Sequence, residues 1–347
     1  MNKKYSFKVF ILLLLGGMLM SSCHEEKITP IPNMVEPRVI FDTDLGSSTD
    51  DLFAMQLLYR YHDMGQCMLL GIVVDRMGEN NARIADVMNT YYGHGNMPIG
   101  LERQGVANPQ VWIDYSDLPN YRNEDGSLMF QRTRNDYSSV PDGWKLYRQL
   151  LSAQPDHSVS IVSVGFVTSL ARLLQSEGDE YSPLNGVDLV RKKVKCAYLM
   201  GGVFGEAVEP DYNFLQAIDF SRIFFQLWPK DVNIVFSPGE VGDAIEYEPE
   251  KVIADISWTD VHPIKQVYMN CDCNTGQKMW DPMPVFNAVL GDSLFYLSER
   301  GTVVYDDEGV LHFTADPRGN CRYQEPGNQQ WAYAMLQRIR QSNTAWK

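Results

Sequence analysis

The sequence is short of positive charge and of long apolar runs, and its cysteines do not add up to a framework. Thirty Lys and Arg stand against forty-four Asp and Glu, a formal charge of −14 over 347 residues. No basic stripe runs through the chain, which excludes a general nucleic-acid binder. The first apolar stretch, Val9 to Leu19, is too short to span a bilayer comfortably. The cysteines number six. Cys67 and Cys196 lie in or beside apolar runs and read as small core residues, while Cys271 and Cys273 are too close to bridge each other easily in a strand. A Cys-x-Cys without a second cysteine or histidine pair is a poor zinc signal, so neither a zinc site nor a disulfide is expected. What remains is an ordinary globular composition, with enough chain to bury a large core.

At the start, Asn2-Lys3-Lys4, the short apolar stretch and then Met20-Ser21-Ser22-Cys23 resemble a bacterial lipoprotein signal. The resemblance implies a signal peptide over 1–23 with Cys23 lipidated, and a protein anchored in the bacterial cell envelope, periplasmic or at the outer-membrane surface. Five cysteines then remain, an odd count that rules out complete intramolecular pairing. Residues 24–36, with Pro30 and Pro32, read as a tether, leaving 37–347 as one domain.

The densest chemistry lies in Ile40-Phe41-Asp42-Thr43-Asp44-Leu45-Gly46-Ser47-Ser48-Thr49-Asp50-Asp51. Val39, Ile40 and Phe41 read as a buried strand, and Leu52 to Tyr59 as a buried helix. Gly46 permits a tight reversal between them, and Thr49 or Asp50 is placed to cap the helix. Four aspartates at a strand-to-helix turn sit where a parallel α/β sheet places its site. They repel one another unless something neutralises them, and hard oxygen ligands suit calcium or magnesium. The acidic overall balance is compatible with such a site.

Asp42-Thr43-Asp44-x-Gly followed by Asp50-Asp51 resembles the amino-terminal signature of the nucleoside hydrolases. Three residues (Ser47, Ser48, Thr49) separate the glycine from the aspartate pair, as in a divergent branch of that family, where the commonest form has one. The resemblance implies an α/β fold with a Rossmann-like core, a largely parallel central sheet flanked by helices, and it covers roughly Val39 to Ala288. It also leaves a homodimer or homotetramer open.

Further along, Cys67 to Val74 is a continuous apolar run, as in a central parallel strand. It feeds a helix through Tyr92. Asn80 matches the asparagine that contacts the nucleoside in the resembled family, with Asn81 and a plain helix cap as the other readings. Residues 102–142 show no sustained period and form a long irregular insertion, in which Tyr115, Tyr121 and Tyr137 pack under the loop or stack on a substrate ring. Val159 to Gly165 is another strand ending at glycine. There the resemblance implies a metal-binding carbonyl at Val164. The strand Cys196 to Met200 ends in Met-Gly-Gly, and Asp211-Tyr212-Asn213-Phe214 resembles the family's sugar-holding Glu-Phe-Asn segment. Asp281-Pro282 reads locally as a helix N-cap with proline in the first turn. By resemblance it is the carboxy-terminal His-Asp-Pro motif, with Trp280 in place of the histidine that protonates a purine. The end of the chain reads as a hairpin, through Val303 and Leu311, and a capping helix from Gln329 to Gln341.

The implied roles are Asp44 as general base, Asp44, Asp51, Asp281 and the Val164 carbonyl around Ca2+, and Asp50, Asn80, Met200, Asp211 and Asn213 on ribose. Trp280 is left to stack on the base. The expected activity is calcium-dependent hydrolysis of the N-glycosidic bond of a ribonucleoside or related ribosyl compound. Two other readings stand beside it. A lipid-anchored binding protein would keep the ligands without turnover. A phosphatase of the haloacid-dehalogenase type would use Asp42 as nucleophile with magnesium, but the Asp-x-Asp-Gly-Thr continuation is missing.

Overall fold

Strand β1 (Arg38–Thr43) is buried along almost its whole length, as its apolar centre requires. It pairs in parallel with β2 (Met68–Val74) on one side and with β4 (Val159–Ser163) on the other. β3 (Ile99–Leu101) extends the sheet beyond β2, and β5 (Val194–Met200) and β6 (Asn233–Ser237) extend it beyond β4, all in parallel. The order 3-2-1-4-5-6 reverses direction between β1 and β4. That reversal opens a crevice at the carboxyl ends of β1 and β4, where side chains from two directions of winding converge.

The computed structural model describes residues 36–205, 209–271, 273 and 275–344. The expected signal peptide, Cys23 and all of the expected tether except Glu36 lie outside the described residues. Glu36–Lys347 forms one compact unit. The insertion after β3 carries one short 3₁₀ turn, Leu118–Asn120, and two isolated bridges. β7 (Glu246–Tyr247) and β8 (Gln277–Lys278) form a separate ribbon. β9 (Tyr296–Leu297) and the hairpin β10 (Gly301–Tyr305) and β11 (Leu311–Ala315) join the large sheet through β12 (Cys321–Glu325), itself parallel to β6. The expected hairpin is therefore present, as an antiparallel extension of the main sheet.

Alternation along β1 divides its side chains between two cores. Val39 and Phe41 pack with the helix Asp50–Asp63, which is buried nearly all round. Ile40 packs on the opposite face with Tyr147, Leu170 and Leu173. The next two residues inherit this alternation. Asp42 meets the Tyr147 hydroxyl at 2.8 Å, and Thr43 meets Asp51 at the start of the helix.

Candidate functional site

The turn after β1 is shaped by Gly46, whose φ of +111° favours glycine. A Cβ there would lie 2.7 Å from Asn81 Oδ1 and 2.8 Å from Arg76 Nη1. The long insertion closes over the other side: Tyr115 N–H donates to the Gly46 carbonyl at 3.2 Å, and Ser47 bridges to Asp114. The spacer Ser47-Ser48-Thr49 is thus clamped from both sides.

Thr49 is the N-cap residue of the helix Asp50–Asp63 by position, yet its side chain does not cap. Its hydroxyl pairs with the Tyr268 phenol at 2.7 Å. Asp50 and Asp51 occupy the first turn, where the helix dipole favours negative charge. Asp281 likewise precedes the helix Pro282–Leu290 without capping it. Its carboxylate instead joins Asp50 and Asp51, with one oxygen from each within 4.8 Å of the others. The Asp281 N–H donates to Asp50 Oδ2 at 3.3 Å, so the two helix starts hold each other.

Burial lifts the carboxyls of Asp44, Asp50, Asp51 and Asp281. Asp44 and Asp50 are pushed up to about 7. Asp51 and Asp281 rise well above the usual aspartate range, through burial first and then the neighbouring aspartates. Asp50, Asp51 and Asp281 cannot all ionise at this spacing without a counter-charge, and Asp44 lines the same cavity outside that trio. The donor set is all oxygen, buried and mutually repelling, which fits a hard divalent cation. The Val164 carbonyl beside it accepts from Asn213 Nδ2 at 3.0 Å and retains a second lone pair. Gly165 lets β4 approach this closely, because a Cβ there would lie 2.6 Å from the Asp44 nitrogen.

These groups line a cavity of about 280 Å³ together with Met200, Asp211, Asn213 and Trp280. Asn213 also donates to the Met200 carbonyl at 3.3 Å. Asp211 caps the short helix Tyr212–Gln216 through Phe214 N–H at 3.2 Å, and burial lifts its carboxyl to about 6. A Cβ on Gly201 would lie 2.8 Å from Asp211 Oδ1, so the Met-Gly-Gly turn makes room for that carboxylate. Trp280 donates its indole N–H to Asp243 at 3.0 Å and presses against Gly242.

The structure thus gathers Asp44, Asp50, Asp51, Val164, Met200, Asp211, Asn213, Trp280 and Asp281 around one cavity. Asn80 is the exception. It does not line the cavity, and its Oδ1 accepts from Arg83 Nη1 at 2.7 Å, a partner one helical turn away. Asn81 is the asparagine that reaches the Gly46 turn, held by the Met77 carbonyl at 2.8 Å. Asp42 does not line the cavity either and is fully buried under the opposite face of the sheet, which removes it as a phosphatase nucleophile. Tyr115 and Tyr137 are buried under the insertion.

Sequence reasoning missed Trp112, Tyr212, Asp243 and Arg76. Trp112 and Tyr212 both line the cavity, with ring centroids 4.7 Å apart, and the Tyr212 hydroxyl donates to the Gln110 carbonyl at 2.6 Å. Trp112 lies in a stretch without period, where nothing local marks a residue that folds back onto a distant strand end. Tyr212 stands inside the quoted Asp211–Phe214 segment and was the findable one.

No family model matches the chain, and no curated protein matches it. Solved structures do. The inosine-guanosine nucleoside hydrolase is 14% identical with a TM-score of 0.65, over 88% of this chain and 99% of the other. The inosine-uridine preferring nucleoside hydrolase from Bacillus anthracis is 15% identical with a TM-score of 0.63, over 88% and 99%. The type III effector protein XopQ, solved with adenosine diphosphate ribose, is 16% identical with a TM-score of 0.62, over 90% and 95%. The fold of this chain is that of the nucleoside hydrolases.

Proposed function

We propose that this chain hydrolyses the N-glycosidic bond of a ribonucleoside or related ribosyl compound, with Ca2+ held by Asp44, Asp51, Asp281 and the Val164 carbonyl. The observation that carries the reading is the convergence of four buried carboxylates, from the turn after β1, the helix that follows and a segment more than two hundred residues later, on one cavity in this fold. A bound cation supplies charge that orients a water and makes it easier to deprotonate. Asp44 takes the water's proton, since a base with a proton affinity near neutral suits that task. Asp50, Asp211 and Asn213 offer acceptors and a donor to the ribose hydroxyls, and the Met200 carbonyl lies beside them. The transition state carries positive charge on the sugar ring, which this acidic floor stabilises.

The leaving base meets a different wall. Trp280, Trp112 and Tyr212 give it aromatic faces on which to stack. Among the described residues, no histidine, lysine or arginine lines the cavity. The departing base therefore finds stacking in place of a proton donor on that wall.

The test is release of free sugar from a panel of purine and pyrimidine nucleosides, first with calcium and then with chelator. Calcium-dependent release supports the hydrolase. Calcium-dependent nucleoside binding without release would replace it with the binding protein. At the amino terminus, the Met20–Cys23 segment supports anchoring in a bacterial envelope membrane. Metabolic labelling with palmitate, abolished by Cys23→Ala, tests that anchor, and an unlabelled wild-type protein would remove it.

A further inference from the structure

Arg76 follows β2, and the residue is nine-tenths buried. Its Nε and Nη1 have no hydrogen-bond partner, and no carboxylate among the described residues lies within ion-pair distance of it. A guanidinium keeps its charge in proteins, and a buried charge without a partner costs several kcal/mol unless a nearby field offsets it. The neighbouring field is that of the carboxylate site. Nη1 lies 2.8 Å from the position a Cβ on Gly46 would take, two residues from Asp44. Asp44 and Ser47, on either side of that glycine, both line the cavity, so the guanidinium stands directly behind the turn that presents the Asp44 carboxylate.

The placement is built from several sides. Asn81 Nδ2 donates to the Met77 carbonyl at 2.8 Å and fixes the turn that carries Arg76. Gly46 supplies the space, and the Asp114–Tyr115 segment of the insertion holds the Gly46 turn against it. The guanidinium lies against the turn that carries Asp44 and pairs with no carboxylate among the described residues.

We propose that Arg76 is a resident counter-charge of the Asp44–Asp51 carboxylates, a positioning residue that holds the site together without metal and weakens its grip on the divalent cation. This rests on the cation site described above. Like charges oppose each other through a low-dielectric interior, so the cation binds against Arg76 as well as toward the aspartates.

The test compares wild type with Arg76→Gln and Arg76→Lys by calorimetric titration of calcium chloride into the chelator-treated full chain, and by thermal melts with and without calcium. The expected result is counter-intuitive for a damaging substitution. Arg76→Gln melts at a lower temperature without metal, binds calcium about ten-fold or more tightly, and shows a larger calcium-induced rise in melting temperature. Arg76→Lys stays near wild type. Calcium affinity in Arg76→Gln that is unchanged or weaker, with wild type binding normally, overturns the role of Arg76 and leaves the cation site standing. Absence of calcium binding by both proteins overturns the cation site and this inference together.

Discussion

Two groups of buried carboxylates lie near the carboxyl edge of the sheet, one at the ends of β1, β2 and β3 and the other in the turn after β1 and at two helix starts, and they are held in opposite ways. The inner group is Asp42, Asp75 and Glu102, and protein donors meet each of them, with one Asp42 oxygen left over. Tyr147 gives to Asp42 at 2.8 Å, and the N–H groups of Thr168 and Ser169 give to Asp75 at 3.0 and 2.9 Å. Glu102 accepts from Arg103 N–H, Gln104 N–H, the Ser169 hydroxyl and Arg172. The outer group is Asp44, Asp50, Asp51 and Asp281, and its neighbours are chiefly one another. Carboxylates answered by donors brace the scaffold, here tying β1 to the helix Gly143–Ser152 and the ends of β2 and β3 to the helix Thr168–Gln175. Carboxylates answered by carboxylates are held ready for a charge the chain does not supply in full.

The comparison breaks most visibly at Asp44. Asp44→Asn removes the proton acceptor and is expected to cost ~10²–10⁴-fold in kcat, while the metal-free melting temperature holds or rises because one repelling charge is gone. A fall in melting temperature comparable to the inner-group variants would place Asp44 in the scaffold. On the inner side, Glu102→Ala leaves Arg172 with Asp142 alone and three other donors unmet, at a cost of about 3 kcal/mol read from denaturant midpoints. Unchanged stability there would mean the inner group is as idle as a surface ion pair.

Acidity sharpens the contrast. Asp44 and Asp50 rise from 3.8 to about 7, so the folded chain holds protons that the unfolded chain has already released. The metal-free protein is therefore expected to be most stable in acid and to lose stability as pH rises from about 4 to about 7. Calcium at a hundred times its Kd adds about 2.7 kcal/mol near neutral pH and flattens that slope. Denaturation at pH 5 and pH 8, with calcium and with chelator, reads both effects, and a flat metal-free profile would contradict them. The smallest change expected is Tyr147→Phe, which removes one donor from Asp42 for about 1 kcal/mol and leaves kcat within a few-fold. A large loss of kcat with stability intact would move Asp42 into the catalytic machinery.

Much of the site was legible because the chemistry is written locally. Asp44, Asp50 and Asp51 stand in one turn, and a strand before them and a helix after them follow from apolar patterning alone. Asp281 and Trp280 were legible through resemblance, since nothing near them in the chain shows where they point. Asn80 and Asn81 show the limit. They are adjacent on a helix start, and a rotation of one residue on the helix decides which of them faces the Gly46 turn.

The sequence by itself determined the parallel α/β layout, the carboxylate turn after β1 and the glycines that allow close approach, because each depends on neighbours within a few residues. Tertiary structure alone decided which carboxylates face a cavity and which face the core. Asp42 and Asp44 are the same residue type two positions apart, yet one meets Tyr147 under the sheet and the other lines the crevice. It also decided that Trp112 closes the cavity and that Arg76 stands unpaired beside it. Those outcomes depend on how distant segments pack, and packing is a property of the whole fold.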